Sequence, residues 1–136
     1  MPRLVQVDNG GSDYWISVAI MPSADKVFGK KLSDTETSDL ITQLAMDPEM
    51  GDVIPNSGGL RKARSPCKGS GKSGGLRIVY LYRDLNMPLY ILAAYEKKDK
   101  GRYTERELSK MRDLKEAIVY EHAQKNWDKA NTNWSA

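Results

Sequence analysis

Basic side chains that could bind and cleave a polyanion are concentrated in one part of the chain. The segment from Val53 to Arg83 contains seven lysines and arginines and no acidic residue, although the 136-residue chain has a net charge of only +3. The rest of the chain is therefore net negative. Charge segregated in this way creates a field over one surface, and polyanions are common partners of such a surface. The competing interpretation is a solvated face without a ligand.

Several of these cations fall on predicted strands or at their ends. Lys62 and Arg64 are two residues apart, so they share a face if this segment is a strand. Arg77 begins the next predicted strand, and Lys97 and Lys98 follow the last one. If the strands are neighbours, the cations converge at one end of a sheet. There they could hold a phosphodiester and stabilise the extra negative charge of a pentacovalent transition state.

Tyrosines are interleaved with these cations, at Tyr80, Tyr82, Tyr95 and Tyr103. Aromatic rings can stack on unpaired bases of single-stranded RNA, although half-buried sheet residues would give the same pattern. Strand alternation places Tyr80 and Tyr82 on the face opposite Arg77. Gly74 and Gly75 precede Arg77, and we expect their missing side chains to leave space for a phosphate.

Metal ligands are scarce around this basic segment. It contains no histidine, and Asp52 and Asp84 flank it. Metal-dependent nucleases need converging carboxylates, and Cys67 and His122 alone cannot form a zinc site of known spacing. We therefore expect no metal and no cofactor, with acid–base work left to lysine or tyrosine. The run Gly71-Lys72-Ser73 lacks the preceding glycine, strand and following helix of a phosphate-binding loop, so nucleoside triphosphate hydrolysis is not expected.

Two helices and four strands are predicted to position these side chains. The capping boxes Ser33-Asp34-Thr35-Glu36 and Thr104-Glu105-Arg106-Glu107 each precede apolar residues at helical spacing. We predict helices over about 34–46 and 105–125, strands over 14–21, 60–65, 76–83 and 89–95, and tails over 1–13 and 127–136. The last two strands flank a tight reversal and should pair as an antiparallel hairpin. The pattern predicts an α+β fold with a small antiparallel sheet and flanking helices.

Composition also bounds the class of protein. A chain of 136 residues is expected to form a single domain. It has no apolar run of the ~18 residues that a membrane span needs, and its first residues lack the apolar stretch of a secretory signal. A lone cysteine cannot form an internal disulfide, and we expect a cytoplasmic protein.

The central part of the sequence carries motifs that resemble those of a known toxin family. These motifs are GDVIP at 51–55, GGLRKAR at 58–64, GGLRIVY at 74–80 and YEKKD at 95–99, with a Gly/Lys-rich loop before the third. Their order and spacing closely resemble the HigB branch of the RelE toxin superfamily. The resemblance covers residues 14–118 and is strongest between 50 and 99.

The resemblance implies a RelE-like fold and the toxin half of a bacterial type II toxin–antitoxin module. Better known members enter the ribosomal A site and cut mRNA, with the RNA 2′-hydroxyl as nucleophile. By position, Lys62, Arg64, Arg77 and Lys98 would be the catalytic residues of a metal-independent endoribonuclease. Contacts to RNA or ribosome would come from Arg61, Lys68, Lys72, Tyr80, Tyr82, Tyr95 and Lys97, while the role of Tyr103 stays open.

The expected partners are the ribosome, mRNA and a cognate antitoxin with a helix-turn-helix. Two alternatives remain. One is a toxin of the same fold that acts on DNA gyrase, as in the ParE type. The other is a basic module that binds RNA without cutting it.

Overall fold

A computed structural model describes residues 2–7, 16–65, 75–84, 87–96 and 103–134, the last nine of these by their backbone alone. Two compact units divide the chain, Met1–Arg102 and Tyr103–Ala136, and each is described by itself. The single-domain interpretation stays a prediction. The elements of the first unit are β1 (Arg3–Val7), β2 (Ile16–Ile20), α1 (Pro22–Lys31), α2 (Asp34–Met46), β3 (Asp52–Val53), β4 (Arg61–Ser65), β5 (Leu76–Leu81) and β6 (Leu89–Glu96); the second contains α3 (Glu105–Trp134).

The six strands form one sheet in the order β1-β2-β6-β5-β4-β3. All neighbouring pairs are antiparallel except β2 and β6, which are parallel. The predicted hairpin between β5 and β6 is confirmed, and β6 lies in the interior of the sheet as its apolar sequence indicates. The fold is therefore α+β, with a mostly antiparallel sheet and, over the described residues, three helices.

One face of the sheet packs against α1 and α2. Ala24 and Phe28 of α1 are fully buried, and α2 contributes Leu40, Ile41, Leu44 and Ala45 to the same core. The sheet supplies alternate residues, including Ile20, Ile78 and Ile91. Since successive strand residues point to opposite faces, residues between these core positions lie on the other face.

The two predicted capping boxes are present. The Ser33 hydroxyl accepts a hydrogen bond from the Glu36 amide at 3.1 Å, and the Glu36 carboxylate accepts one from the Ser33 amide at 2.9 Å. Thr104 and Glu107 make the same reciprocal pair at 3.2 and 3.0 Å. These bonds satisfy amide groups that the first turn of a helix leaves without partners.

Several expectations about the chain ends and connections are wrong. Residues 3–7 are not a loose tail but strand β1, which pairs with β2. Its neighbour in sequence, Asn9-Gly10, is as typical of a hairpin turn as of a tail. The last helix continues to Trp134, so most of the predicted C-terminal tail is helical. Helix α1 is absent from the prediction, which only ends a strand at Pro22, although proline is also favoured at the first helical position.

Candidate nucleic-acid interface

Three of the predicted cations lie on one face of the sheet, opposite the packed core. Strands β4, β5 and β6 are neighbours, and Arg64 on β4 is the direct partner of Arg77 on β5. Lys62 is two residues before Arg64, so its side chain leaves the same face. Side chains of direct antiparallel partners start about 5 Å apart, which brings the three cations within reach of one phosphate group and its neighbours. The predicted pairing of these strands, with the three cations on one face, is confirmed, while their role in a site stays a prediction.

These cations line a cleft of about 380 Å³. Its walls are formed by Met50, Asp52, Lys62, Ala63, Arg64 and Arg77. Lys62 and Arg64 are exposed, whereas Arg77 is half-buried and donates a long hydrogen bond of 3.4 Å to the carbonyl of Gly75. Lysine and arginine offer only donors, so the cleft presents several cationic donors to an anion that enters it.

Asp52 lies inside this cleft, not beside it as the sequence suggested. It belongs to the two-residue strand β3 and is the direct partner of Lys62 on β4. The sequence interpretation placed Asp52 at the edge of the basic segment because β3 is too short to be recognised from its pattern. Asp84, the second flanking acid, lies instead next to Arg83, with 4.0 Å between its carboxylate and that guanidinium, and is not part of the cleft wall.

The predicted space for a phosphate at Gly75 does not exist. Gly75 is buried, and a β-carbon built on it would lie 2.7 Å from the backbone carbonyl oxygen of Ser65. The missing side chain is therefore used for close contact between β5 and β4.

Tyr80 is not an RNA-stacking residue, because its side chain is fully buried in the core. Its hydroxyl donates a hydrogen bond of 2.8 Å to the carbonyl of Pro48 and accepts one of 2.9 Å from the amide of Gly51. Burial raises the pKa of this phenol, while the Gly51 hydrogen bond and the charge of Arg61 oppose the shift only in part. Tyr80 thus fixes the segment that leads into β3.

Arg61 also differs from its predicted role. It is the direct partner of Tyr80, so it lies on the core face and not with Lys62 and Arg64. Its guanidinium donates to the carbonyl of Gly51 at 2.7 Å and to the carbonyl of Glu49 at 3.1 Å. Arg61 therefore clamps the same segment from the core side of the sheet, and 21% of its side chain remains exposed.

Gly51 completes this clamp because nothing larger fits there. A β-carbon at this position would lie 2.8 Å from the carbonyl oxygen of Lys62 and 2.9 Å from the ring and hydroxyl of Tyr80. The segment 48–51 is thus held tightly against β4 and β5, and it delivers Met50 and Asp52 to the cleft. The sequence does not predict this clamp, because the long-range partner of a buried tyrosine hydroxyl cannot be identified from a local pattern.

The other tyrosines fall into different surroundings. Tyr82 is half-buried and packs against the core, and its predicted RNA contact stays a prediction. Tyr95 is the direct partner of Arg77 and therefore lies on the same face, half-buried, while its predicted RNA contact stays a prediction. Tyr103 belongs to the second unit, where it is half-buried.

Four predicted site residues lie outside the described residues: Lys68, Lys72, Lys97 and Lys98. Their roles stay predictions. In the described part of the chain, no three histidine, cysteine or carboxylate side chains come together in a way that could hold a metal ion.

None of the helices over the described ranges combines the length and the apolar character that a membrane span requires. A comparison with models of the known protein families gives no match for this chain.

Proposed function

We propose that this protein is a ribosome-dependent mRNA endoribonuclease, the toxin of a type II toxin–antitoxin module. It would act in the cytoplasm, inhibit translation and be held inactive by an antitoxin. One observation carries the proposal: Lys62, Arg64 and Arg77 line a single cleft on the face of the sheet opposite the α1 and α2 core. The sequence motifs that resemble the HigB branch support the same assignment.

The cleft is suited to phosphoryl transfer because its positive charges are concentrated around one point and are not distributed along the surface. Arg64 and Arg77 come from adjacent strands at the same register, so two guanidinium groups can contact one phosphodiester from two sides. Guanidinium groups form paired hydrogen bonds to phosphate oxygens, and these bonds strengthen as charge accumulates in the transition state. A surface that only binds RNA does not need this focus.

The substrate in this proposal is single-stranded RNA with an intact 2′-hydroxyl. The 2′-oxygen attacks the neighbouring phosphorus, and the product strands carry a 2′,3′-cyclic phosphate and a 5′-hydroxyl. Tyr95, beside Arg77, is placed to contact a base or sugar next to the scissile phosphate. Lys98 is proposed to add a further cation to this group.

The proposal is tested by inducing the protein in bacteria and mapping mRNA 5′ ends with translation running and with translation blocked. Expected are new 5′ ends inside coding regions that disappear when translation is blocked. Arg64→Ala should abolish them, whereas Arg106→Ala, which removes an exposed arginine from α3, should leave them unchanged. Growth arrest without new 5′ ends would favour the gyrase-targeting alternative, and RNA binding without arrest would favour the non-catalytic one.

The antitoxin is tested in the same cells. A partner that silences the toxin must block this cationic cleft or prevent ribosome entry, and acidic residues where it docks would speed the encounter. Co-expression of the small protein encoded next to this gene should relieve growth arrest. Arrest that persists would contradict the assignment to a toxin–antitoxin module.

A further inference from the structure

The cationic cleft contains one carboxylate, Asp52, which the sequence did not place there. Direct pairing of Asp52 with Lys62 puts its side chain on the same face as Arg64 and Arg77, and all four residues line the cleft. The Asp52 side chain is exposed. The carboxylate is therefore in position to contact a bound substrate.

Asp52 differs chemically from every other group on the cleft wall. The remaining lining residues in the described part of the chain are Met50, Lys62, Ala63, Arg64 and Arg77. Lysine and arginine are donors without an accepting lone pair at neutral pH, and methionine and alanine do not exchange protons. An ionised carboxylate accepts hydrogen bonds and protons only. Among the described lining residues, Asp52 is therefore the side chain that offers an acceptor for a hydroxyl proton, in place of the lysine or tyrosine expected from the sequence.

We propose that Asp52 is the general base that takes the proton from the RNA 2′-hydroxyl; this proposal rests on the proposed function. The O2′–H bond breaks and its proton passes to the Asp52 carboxylate while the 2′-oxygen forms a bond to phosphorus. The bond between phosphorus and the 5′-oxygen breaks, and the 5′-oxygen leaves with the bonding pair and takes a proton from solvent. Asp52 then returns its proton to solvent, and no metal or redox partner is needed.

The surroundings of Asp52 suit this role. The charged groups that face it are Lys62 and Arg64 on β4 and Arg77 on β5. They attract the phosphate next to the reacting hydroxyl and so bring the hydroxyl to the carboxylate. The clamp formed by Tyr80, Arg61 and Gly51 fixes the backbone that precedes Asp52, which limits the movement of the base. A general base positioned in this way contributes about 100- to 10,000-fold to a rate.

The test is single-turnover cleavage of a defined mRNA on programmed ribosomes, with wild-type protein, Asp52→Asn and Asp52→Glu. Asp39→Asn, which changes an exposed acid on α2 outside the cleft, is the matched control. Asp52→Asn should cleave about 100- to 10,000-fold more slowly. Its affinity for the programmed ribosome should be equal or higher, because a negative charge next to phosphate is removed. Asp52→Glu should recover part of the lost rate, and the control Asp39→Asn should cleave at the wild-type rate.

The pH dependence separates a base from a structural residue. Cleavage by the wild-type protein, which carries the proposed base, should depend less on pH than cleavage by Asp52→Asn. In Asp52→Asn, hydroxide must remove the proton, and the rate should rise about tenfold per pH unit. An Asp52→Asn protein with normal melting temperature that keeps the wild-type rate overturns the proposal, as does a slow variant with a flat pH profile.

The proposed function and this proposal fail in distinguishable ways. If wild-type protein cleaves no ribosome-bound mRNA, the proposed function fails and Asp52 loses its role with it. If wild-type protein cleaves and Asp52→Asn is unchanged, the function stands and only the base assignment falls. A substrate with a 2′-O-methyl group at the scissile nucleotide should not be cleaved by the wild-type protein or by any variant. This control shows that the cleavage measured depends on the 2′-hydroxyl.

Discussion

Replacing Tyr80 with phenylalanine tests whether the cleft is held in place from the opposite face of the sheet. The substitution keeps the buried ring and removes only the hydroxyl that joins Pro48 and Gly51 at 2.8 and 2.9 Å. Each such bond stabilises the fold by about 0.5–1.5 kcal/mol, and the Gly51 amide is left without this acceptor. The free energy of unfolding should therefore fall by about 1–3 kcal/mol. For a chain of this size, the melting temperature should fall by about 3–15 °C.

The assay combines thermal unfolding with amide hydrogen exchange. The Gly51 amide should exchange faster in Tyr80→Phe, because the bond that protects it is gone, while amides in the middle of β5 keep their relative protection. Tyr120→Phe is the matched control, since Tyr120 is 69% exposed and its loss of a hydroxyl should change the melting temperature little. The segment 48–51 leads directly to Asp52, so ribosome-dependent cleavage should fall more than binding does.

Two results would refute this reasoning. If Tyr80→Phe unfolds at the wild-type temperature and protects Gly51 normally, the hydrogen bonds through the hydroxyl do not hold the segment. If stability falls but cleavage at a temperature well below unfolding is unchanged, the clamp stabilises the fold without positioning the cleft.

Three further predictions follow from the same geometry. Raising the pH above about 10 should destabilise the wild-type protein by up to about 1.4 kcal/mol per pH unit more than it destabilises Tyr80→Phe, because the raised pKa of Tyr80 opposes ionisation in the folded state. Urea titrations measure this, and the same dependence of the unfolding free energy on pH in both proteins would contradict it. Arg77→Ala should slow cleavage by about 10²–10³-fold with little change in melting temperature, and a folded Arg77→Ala protein that cleaves at the wild-type rate would disprove this prediction. Arg77→Lys should recover only part of the cleavage rate, since the point charge of lysine lacks the forked geometry of a guanidinium group. In filter-binding measurements, RNA affinity should fall steeply as the salt concentration rises, and Arg64→Ala should reduce the slope of log K against the logarithm of salt concentration by about 0.7. An affinity that does not depend on salt concentration would exclude the cleft as the contact surface.

The elements that the sequence predicted correctly are those with strong local signals. Strands β4, β5 and β6 alternate or run apolar between glycines and prolines, and both capping boxes are contiguous four-residue motifs. The strands that were missed depend on pairing between distant segments. Strand β3 has only two residues and exists because Asp52 and Val53 meet Lys62 and Arg61 of β4. No local pattern marks such a strand, so the position of Asp52 could not be predicted.

The predicted role of a residue can also fail where only the packed fold decides the outcome. Tyr80 was a reasonable candidate for stacking on RNA, since a tyrosine between basic residues often serves that purpose. Its hydroxyl instead finds partners 29 and 32 residues earlier in the chain. Contacts over that distance are a property of the packed fold, and they turn a candidate ligand-binding side chain into a support for the site.

The run Arg61-Lys62-Ala63-Arg64 shows how one short strand serves both purposes. Strand alternation sends Lys62 and Arg64 into the cleft, while Arg61 and Ala63 leave from the core face. Arg61 grips the carbonyls of Glu49 and Gly51, so the strand that supplies two cations also anchors the segment that supplies the carboxylate. Acid and cations are thus fixed relative to each other by one strand and its neighbours. A shift of β4 by one residue would exchange the two sets and destroy the site and its support together, which makes the register of β4 the feature on which the whole arrangement depends.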